Sequence, residues 1–168
     1  MHKAASAVKE SIDLAAPAAT VWACVGNYHG MAHWHPSVTR SEVPGATEGD
    51  GEDNGDTRLL VLRDGRSIRE KLLKHSDTER RLRYSIVDSP FPFDHYVAEL
   101  RVLENGPRHC RVTWEGMFTA RISSTATAAN DTITAEEIIA TFYATGFFGL
   151  KQALGISCHA NPSNSAAC

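Results

Sequence analysis

One carboxylate falls where strand alternation would place only apolar side chains. In an extended segment, successive residues point to opposite faces. Over Ser67 to Lys74, Ile68, Glu70 and Leu72 therefore share a face opposite Arg69, Lys71 and Leu73. The same parity groups Leu82, Tyr84 and Ile86; then Tyr96, Ala98, Leu100 and Val102; then Val112, Trp114, Gly116 and Phe118. Over Thr57 to Arg63 it groups Arg58, Leu60 and Leu62, although Leu59 and Val61 leave that strand ambiguous. The inward polar set is thus Arg58, Glu70, Tyr84, Tyr96 and Trp114. A carboxylate on an apolar face must be paired, hydrogen-bonded or protonated, because burying it bare is costly. Desolvation would raise the pKa of Glu70 and a nearby Arg58 would lower it. A carboxylate between these two effects in an apolar cavity is a candidate general acid or base. The alternative is a structural Arg58–Glu70 ion pair with Tyr96 satisfying a spare lone pair, since such pairs also perturb pKa values.

Two functions follow. As an enzyme, Glu70 would move a proton on a small substrate, Arg58 would hold the developing negative charge, and Tyr96 would donate a hydrogen bond or relay the proton. That set supports cyclisation, dehydration or isomerisation without a metal or redox cofactor. As a non-catalytic carrier or sensor, the same pocket would hold a hydrophobic ligand, with Arg58 clamping its polar end and Glu70 orienting Arg58. Candidate ligand contacts are Tyr84, Trp114, Trp34, Phe142, Phe93, Leu60 and Phe118.

These residues need a sheet to carry them and something to close it. Val8 to Leu14 alternates as a strand, Pro17 stands where a helix could begin, and Ala18 to Val25 suits a short helix. Tyr28 to His35 adds a further helical turn or two before Pro36. From Val38 to Thr119, short alternating runs separated by turn signals read as an antiparallel meander of about six strands. Asp64-Gly65 and Asn105-Gly106 are hairpin dipeptides in which glycine tolerates positive φ. Glu48 to Asp56 reads as a flexible acidic loop, and Ser89 to Asp94 as a loop stiffened by two prolines. Thr134 and Glu137 form a capping box. Apolar residues from Ile138 to Leu154 then recur at helical spacing over about 20 residues, or about 30 Å, and Gly155 is a natural stop. The expected fold is α+β: a curved antiparallel sheet of about seven strands around one long C-terminal helix, with two short helices after the first strand. Residues 1–157 form one expected domain, and 158–168 a frayed tail.

Composition agrees. At 168 residues, with 42% apolar and 22% charged residues, the chain suits one globular domain. A net charge of -3 without a basic cluster argues against nucleic acid. No stretch approaches the ~20 apolar residues of a membrane span, and Lys9 and Glu10 interrupt any secretory signal. Cys24, Cys110, Cys158 and Cys168 have no CxxC spacing, so free thiols and a cytoplasmic location are expected. The expected partner is a small apolar ligand or substrate, bound by a monomer or homodimer.

The chain resembles the polyketide cyclase/dehydrase branch of the START-like (SRPBCC, Bet v 1-like) superfamily. The carriers are Val21-Trp22, Trp34-His-Pro36, Gly55-Asp-Thr-Arg58, Arg69-Glu-Lys-Leu-Leu73, Tyr84-Ser-Ile-Val87 and Tyr96-Val-Ala98. Within that branch it is similar to the lachrymatory factor synthases of plants, and that resemblance implies a catalytic arginine, glutamate and tyrosine at Arg58, Glu70 and Tyr96. It also implies a helix-grip fold and a cavity mouth rimmed by the loops around Asp64-Gly65 and Ser89 to Asp94. The related hormone receptors' own loop motifs are absent.

Other signals carry less. His33 and His35, with the distant Cys158 and His159, lack metal-site spacing. The acidic run from Asp50 echoes a calcium loop, but its twelfth position is Val61, where a glutamate is needed. Gly146 and Gly149 interrupt the long helix, each at a cost of about 1 kcal/mol against alanine. They imply either a close approach to the sheet or room for a ligand.

Overall fold

The computed structural model describes residues 5–44, 56–121 and 133–156. The acidic loop expected at Glu48 to Asp56 lies outside them but for its last residue, and the tail expected at 158–168, with Cys158, His159 and Cys168, lies outside them entirely. In chain order the elements are β1 (Ala5–Leu14), α1 (Ala18–Val25), a 3-10 turn (Tyr28–His33), β2 (Val38–Glu42), β3 (Thr57–Leu62), β4 (Ser67–Ser76), β5 (Arg81–Asp88), β6 (Phe93–Glu104), β7 (Cys110–Ala120) and α2 (Ala135–Ala153). The seven strands make one antiparallel sheet ordered β1-β7-β6-β5-β4-β3-β2. From β2 to β7 each strand pairs with the next one along the chain. β1 closes the far edge against β7, from Ala5 opposite Thr119 to Leu14 opposite Cys110. This is the helix-grip architecture expected from the sequence.

Local chemistry explains the boundaries. The Thr134 hydroxyl accepts from the Glu137 N–H, and the Glu137 carboxylate accepts from the Thr134 N–H, so the capping box forms in full. Gly65 and Gly106 take φ of 88° and 90° in their hairpins, the left-handed region that favours glycine. Two details differ from the expectation. Pro17 is the N-cap of α1, with ψ at 140°, instead of its first helical residue. The segment from Tyr28 winds as a 3-10 turn ending at His33, one that Asn27 precedes without a side-chain cap.

Alternation places Arg58, Leu60 and Leu62 of β3 inward, which settles the parity that Leu59 and Val61 left open. Ile68 and Glu70 of β4, Leu82 and Tyr84 of β5, and Val112, Trp114 and Phe118 of β7 face the same way. One irregularity reshapes this inner face. Between Asp94 and Val97 the register with β7 slips by one residue, and His95 takes a φ of 54°. That bulge lets both Phe93 and Tyr96 turn inward, although simple alternation would have put them on opposite faces.

Helix α2 lies mainly against β1 and, less closely, β7. Two glycines allow its close approach to the segment before β2. A Cβ at Gly149 would collide with the Trp34 carbonyl and the Pro36 ring, and one at Gly146 with His35 and Trp114. Of the two readings of these glycines, close approach is the one seen. Among the described residues no helix is long and apolar enough to cross a membrane.

Candidate functional site

Arg58 and Glu70 sit directly opposite each other on β3 and β4, each only 2% exposed. The Arg58 Nε donates to Glu70 Oε2 at 2.7 Å, and Nη2 lies 2.6 Å from the same oxygen. Nη1 donates to the Tyr28 carbonyl of the 3-10 turn. The guanidinium is further held between two rings, 4.1 Å from the Tyr28 centroid and 5.4 Å from that of Tyr84. Both contacts to Glu70 fall on Oε2, and among the described residues no hydrogen bond reaches Oε1. Burial pushes the Glu70 carboxyl above its ordinary range, and the charge and hydrogen bonds of Arg58 pull it only part of the way back.

Glu70 opens onto a cavity of about 770 Å³ between the sheet and α2. Its apolar wall comes from Leu62, Ile68 and Ile86 on the strands, Phe91 and Phe93 in and after the β5–β6 loop, and Ile138, Ile139 and Phe142 on the helix. Three tyrosines, Tyr84, Tyr96 and Tyr143, add polar surface, as do Ser37, Arg63, Thr141 and Thr145. Both loops expected at the mouth are there. Asp64 and Arg66 of the β3–β4 hairpin bind each other and stand opposite Phe91, with the Arg66 guanidinium 4.5 Å from its ring.

The tyrosines and one tryptophan form a connected cluster. Trp114 Nε1 donates to the Tyr84 hydroxyl at 2.9 Å. The Tyr84 and Tyr96 rings lie 6.2 Å apart between centroids, and the Tyr96 hydroxyl is hydrogen-bonded to that of Tyr143. Desolvation is the largest cause raising the phenol pKa of all three, so they are neutral donors at ordinary pH. The Tyr96–Tyr143 pair rests on the backbone of Gly116, where a Cβ would strike the Tyr143 hydroxyl. A glycine within a strand here marks that close approach.

Of the residues singled out from the sequence, Glu70, Tyr84, Tyr96, Phe93 and Phe142 line the cavity. Five do not. Arg58 lies behind Glu70, with its donors turned to the carboxylate and to Tyr28. Trp114 lies behind Tyr84, stacked on the Tyr143 ring at 4.4 Å between centroids. Trp34 packs against Trp114 at 5.8 Å, Phe118 against Tyr96 and Phe93, and Leu60 is fully buried in the core. Parity gives the face a side chain points to, but not whether another side chain stands in front of it. Tyr143, within the helical stretch from Ile138 to Leu154, lines the cavity without being among the expected site residues. Its signal was available, since a tyrosine on a buried stripe needs a partner for its hydroxyl.

His35 is a second buried polar group, 1% exposed. Its Nδ1 accepts from the Ser37 N–H at 3.2 Å and its Nε2–H donates to the Phe142 carbonyl at 2.9 Å. Its ring stacks on Phe142 at 3.9 Å. Both nitrogens are engaged by a neutral imidazole, and burial lowers its pKa to about 4. It ties α2 to the chain before β2. Among the described residues no three His, Cys, Asp or Glu side chains are grouped to hold a metal ion.

Comparison with known proteins places this geometry. No curated protein matches the sequence significantly. Solved structures do. The protein XoxI from Bacillus cereus superposes with a TM-score of 0.74 at 26% identity, over 88% of this chain and 94% of that one. A protein from Thermobifida fusca gives 0.69 at 30% identity, over 92% and 97%. Zhui aromatase/cyclase from a Streptomyces species gives 0.63 at 16% identity, over 90% and 93%, a likeness of fold alone. Residues 6–155 match the family described as polyketide cyclase / dehydrase and lipid transport, and the chain belongs to that family.

Proposed function

We propose that the protein is an enzyme carrying out metal-free acid/base chemistry on a small, largely apolar molecule held in the cavity, with Glu70 as the proton-transfer group. The observation that carries this is the placement of Glu70. It is a buried carboxylate anchored through one oxygen by Arg58, with its other oxygen free of protein partners among the described residues, in the wall of a largely apolar cavity. Glu70 takes a proton from an acidified C–H, O–H or S–OH. A tyrosine hydroxyl stabilises the oxygen that gains charge, and Glu70 returns the proton elsewhere on the same molecule. That sequence performs an isomerisation or a cyclisation. A dehydration follows when the returned proton goes to a departing hydroxyl. Cyclase and dehydrase chemistry is in keeping with the family's description, and rearrangement of a small sulfenic acid, as in lachrymatory factor synthases, uses the same proton movements.

Arg58 acts through Glu70 as a positioning residue. Its depth behind the carboxylate keeps it from the substrate, so the tyrosines take the charge-stabilising part. The second reading, a carrier or sensor of a hydrophobic ligand, is favoured by the family's lipid-transport members and needs no proton transfer.

The test is deuterium wash-in. The protein is incubated in D₂O with enolisable ketones, β-dicarbonyls and small sulfur acids, and mass spectrometry reads exchange against Glu70→Gln. Exchange that disappears in the variant is the expected result. Ligands that bind tightly but neither exchange nor change would sink the enzyme reading and leave the carrier.

A further inference from the structure

Among the charged groups of the cavity wall, Arg63 alone has no counter-ion among the described residues. Glu70 is held by Arg58, and Asp64 is held by the Arg66 guanidinium at 2.7 and 2.9 Å. Arg63 lines the same cavity and donates instead to a neutral acceptor. Its Nε and Nη2 reach the Pro36 carbonyl at 3.2 and 3.0 Å, and its backbone N–H reaches the Ser37 carbonyl at 2.9 Å. A guanidinium carries five N–H donors in one rigid plane. With one edge fixed on Pro36, the end bearing Nη1 and the second Nη2 hydrogen is held still and unengaged by any described residue. That end has the geometry of a carboxylate clamp.

The corner around it is built to stay in place. Thr141 and Thr145 also line the cavity, one turn apart and so on one face of α2. Gly149, a further turn along, lets the helix close on the Pro36 ring. The carboxylate next in sequence, Asp64, is already neutralised by Arg66 and does not compete for Arg63.

The cavity is therefore charged differently at its two ends. Arg58 faces Glu70 across β3 and β4, and Arg63 lies five residues further along the chain, about 16 Å at the rise of a strand. The Glu70 end is buried, while Arg63 is exposed at the β3–β4 hairpin. A ligand carboxylate at Arg63 keeps part of its hydration and gains a fixed cation. One turned to the other end would be stripped of water beside Glu70, whose single cationic partner is already engaged.

We infer that the ligand is an amphipathic carboxylic acid, held head-outward by Arg63 with its apolar body directed toward Glu70. Any reacting atoms then lie at the end of the molecule remote from its carboxylate. The inference rests on the cavity as the site of an apolar ligand, but not on proton transfer by Glu70.

The probes are decanoate and decanamide, which share a chain and a head of nearly the same shape but differ in charge. Isothermal titration calorimetry at low salt reads both affinities in the wild type, Arg63→Gln and Arg63→Lys, and thermal denaturation confirms that each variant is folded. The wild type is expected to bind decanoate about tenfold more tightly than decanamide, with the preference falling as salt is raised. In Arg63→Gln the preference disappears through loss of decanoate affinity alone, and in Arg63→Lys it is partly kept. Equal binding of the two probes by the wild type overturns the inference. So does a preference that survives Arg63→Gln, or an equal fall for both probes, which would make Arg63 only a tether for Pro36. A large gain of decanoate affinity in Glu70→Gln places the head at the wrong end and overturns the orientation. Binding of neither probe removes the apolar-ligand reading along with this one, whereas absence of Glu70-dependent exchange with the decanoate preference intact removes only the enzyme.

Discussion

Arg58 touches Glu70 through a single carboxylate oxygen, and the two residues occupy directly opposed positions on adjacent strands. The pair is sealed from water, and the raised carboxyl pKa says that burial outweighs attraction for Glu70. Such a pair is expensive to break and cheap to replace. Arg58→Met alone leaves a buried carboxylate without its cation and should cost about 3–5 kcal/mol. Arg58→Met combined with Glu70→Leu should return to within about 1 kcal/mol of the wild type, or exceed it, while losing all exchange activity. Urea denaturation of the four proteins in the cycle measures this. A double variant as unstable as Arg58→Met would show that the pair is needed for the fold.

The same pair sets the pH dependence of the proposed chemistry. A general base must be ionised, so the exchange rate should rise with pH through the Glu70 pKa. Because burial raises that pKa above 4.5, the midpoint should lie on the alkaline side of an ordinary glutamate. Arg58→Lys, with a less well-matched donor set, should move it further up. An exchange rate independent of pH across this range would remove Glu70 as the base.

His35 makes a separate acid-sensitive contribution to stability. The folded protein holds it at a pKa of about 4 against 6.5 when unfolded. The unfolded chain therefore takes up a proton first as pH falls. The contribution is whole above about pH 6.5 and is lost progressively on the way down to pH 4 and below. Its size is about 3 kcal/mol. Unfolding free energies measured from pH 7.5 to 4 should fall by that amount more in the wild type than in His35→Gln, which cannot titrate.

Gly149 gives a prediction opposite to helix propensity. Alanine would gain about 1 kcal/mol in a free helix. Here its Cβ meets the backbone carbonyl of Trp34 and the ring of Pro36, neither of which can rotate away. Gly149→Ala should therefore destabilise by about 1–3 kcal/mol, as read by denaturant midpoint. A stabilised variant would show that the helix can back off from this crossing at no cost.

How much of this was legible in the sequence depends on the kind of information involved. Alternation alone brought Arg58, Glu70, Tyr84, Tyr96 and Trp114 to one face, because a period of two is a covalent property of the extended chain. The capping box at Thr134 and the glycine turns at Gly65 and Gly106 were readable for the same reason: their partners are a few residues away. Depth was not readable. Nothing local to Arg58 or Trp114 says that Glu70 or Tyr84 stands between it and the cavity. The inward turn of Phe93 was hidden too, because it needs a bulge at His95, and no glycine marks that position. Tyr143 was visible as a helix tyrosine, but its hydroxyl acquires meaning only when β6 and β7 are laid beneath it.

The way α2 rests on the sheet divides the molecule unequally. Its packing is concentrated on β1 and β7, while β3, β4 and β5 supply Leu62, Ile68, Glu70, Tyr84 and Ile86 to a space the helix spans without filling. Substitutions on those strands change what the space accepts without loosening the contact that anchors the helix. A lineage built on this plan can exchange one guest molecule for another by drift in three neighbouring strands, and its foldedness is guarded at the opposite edge.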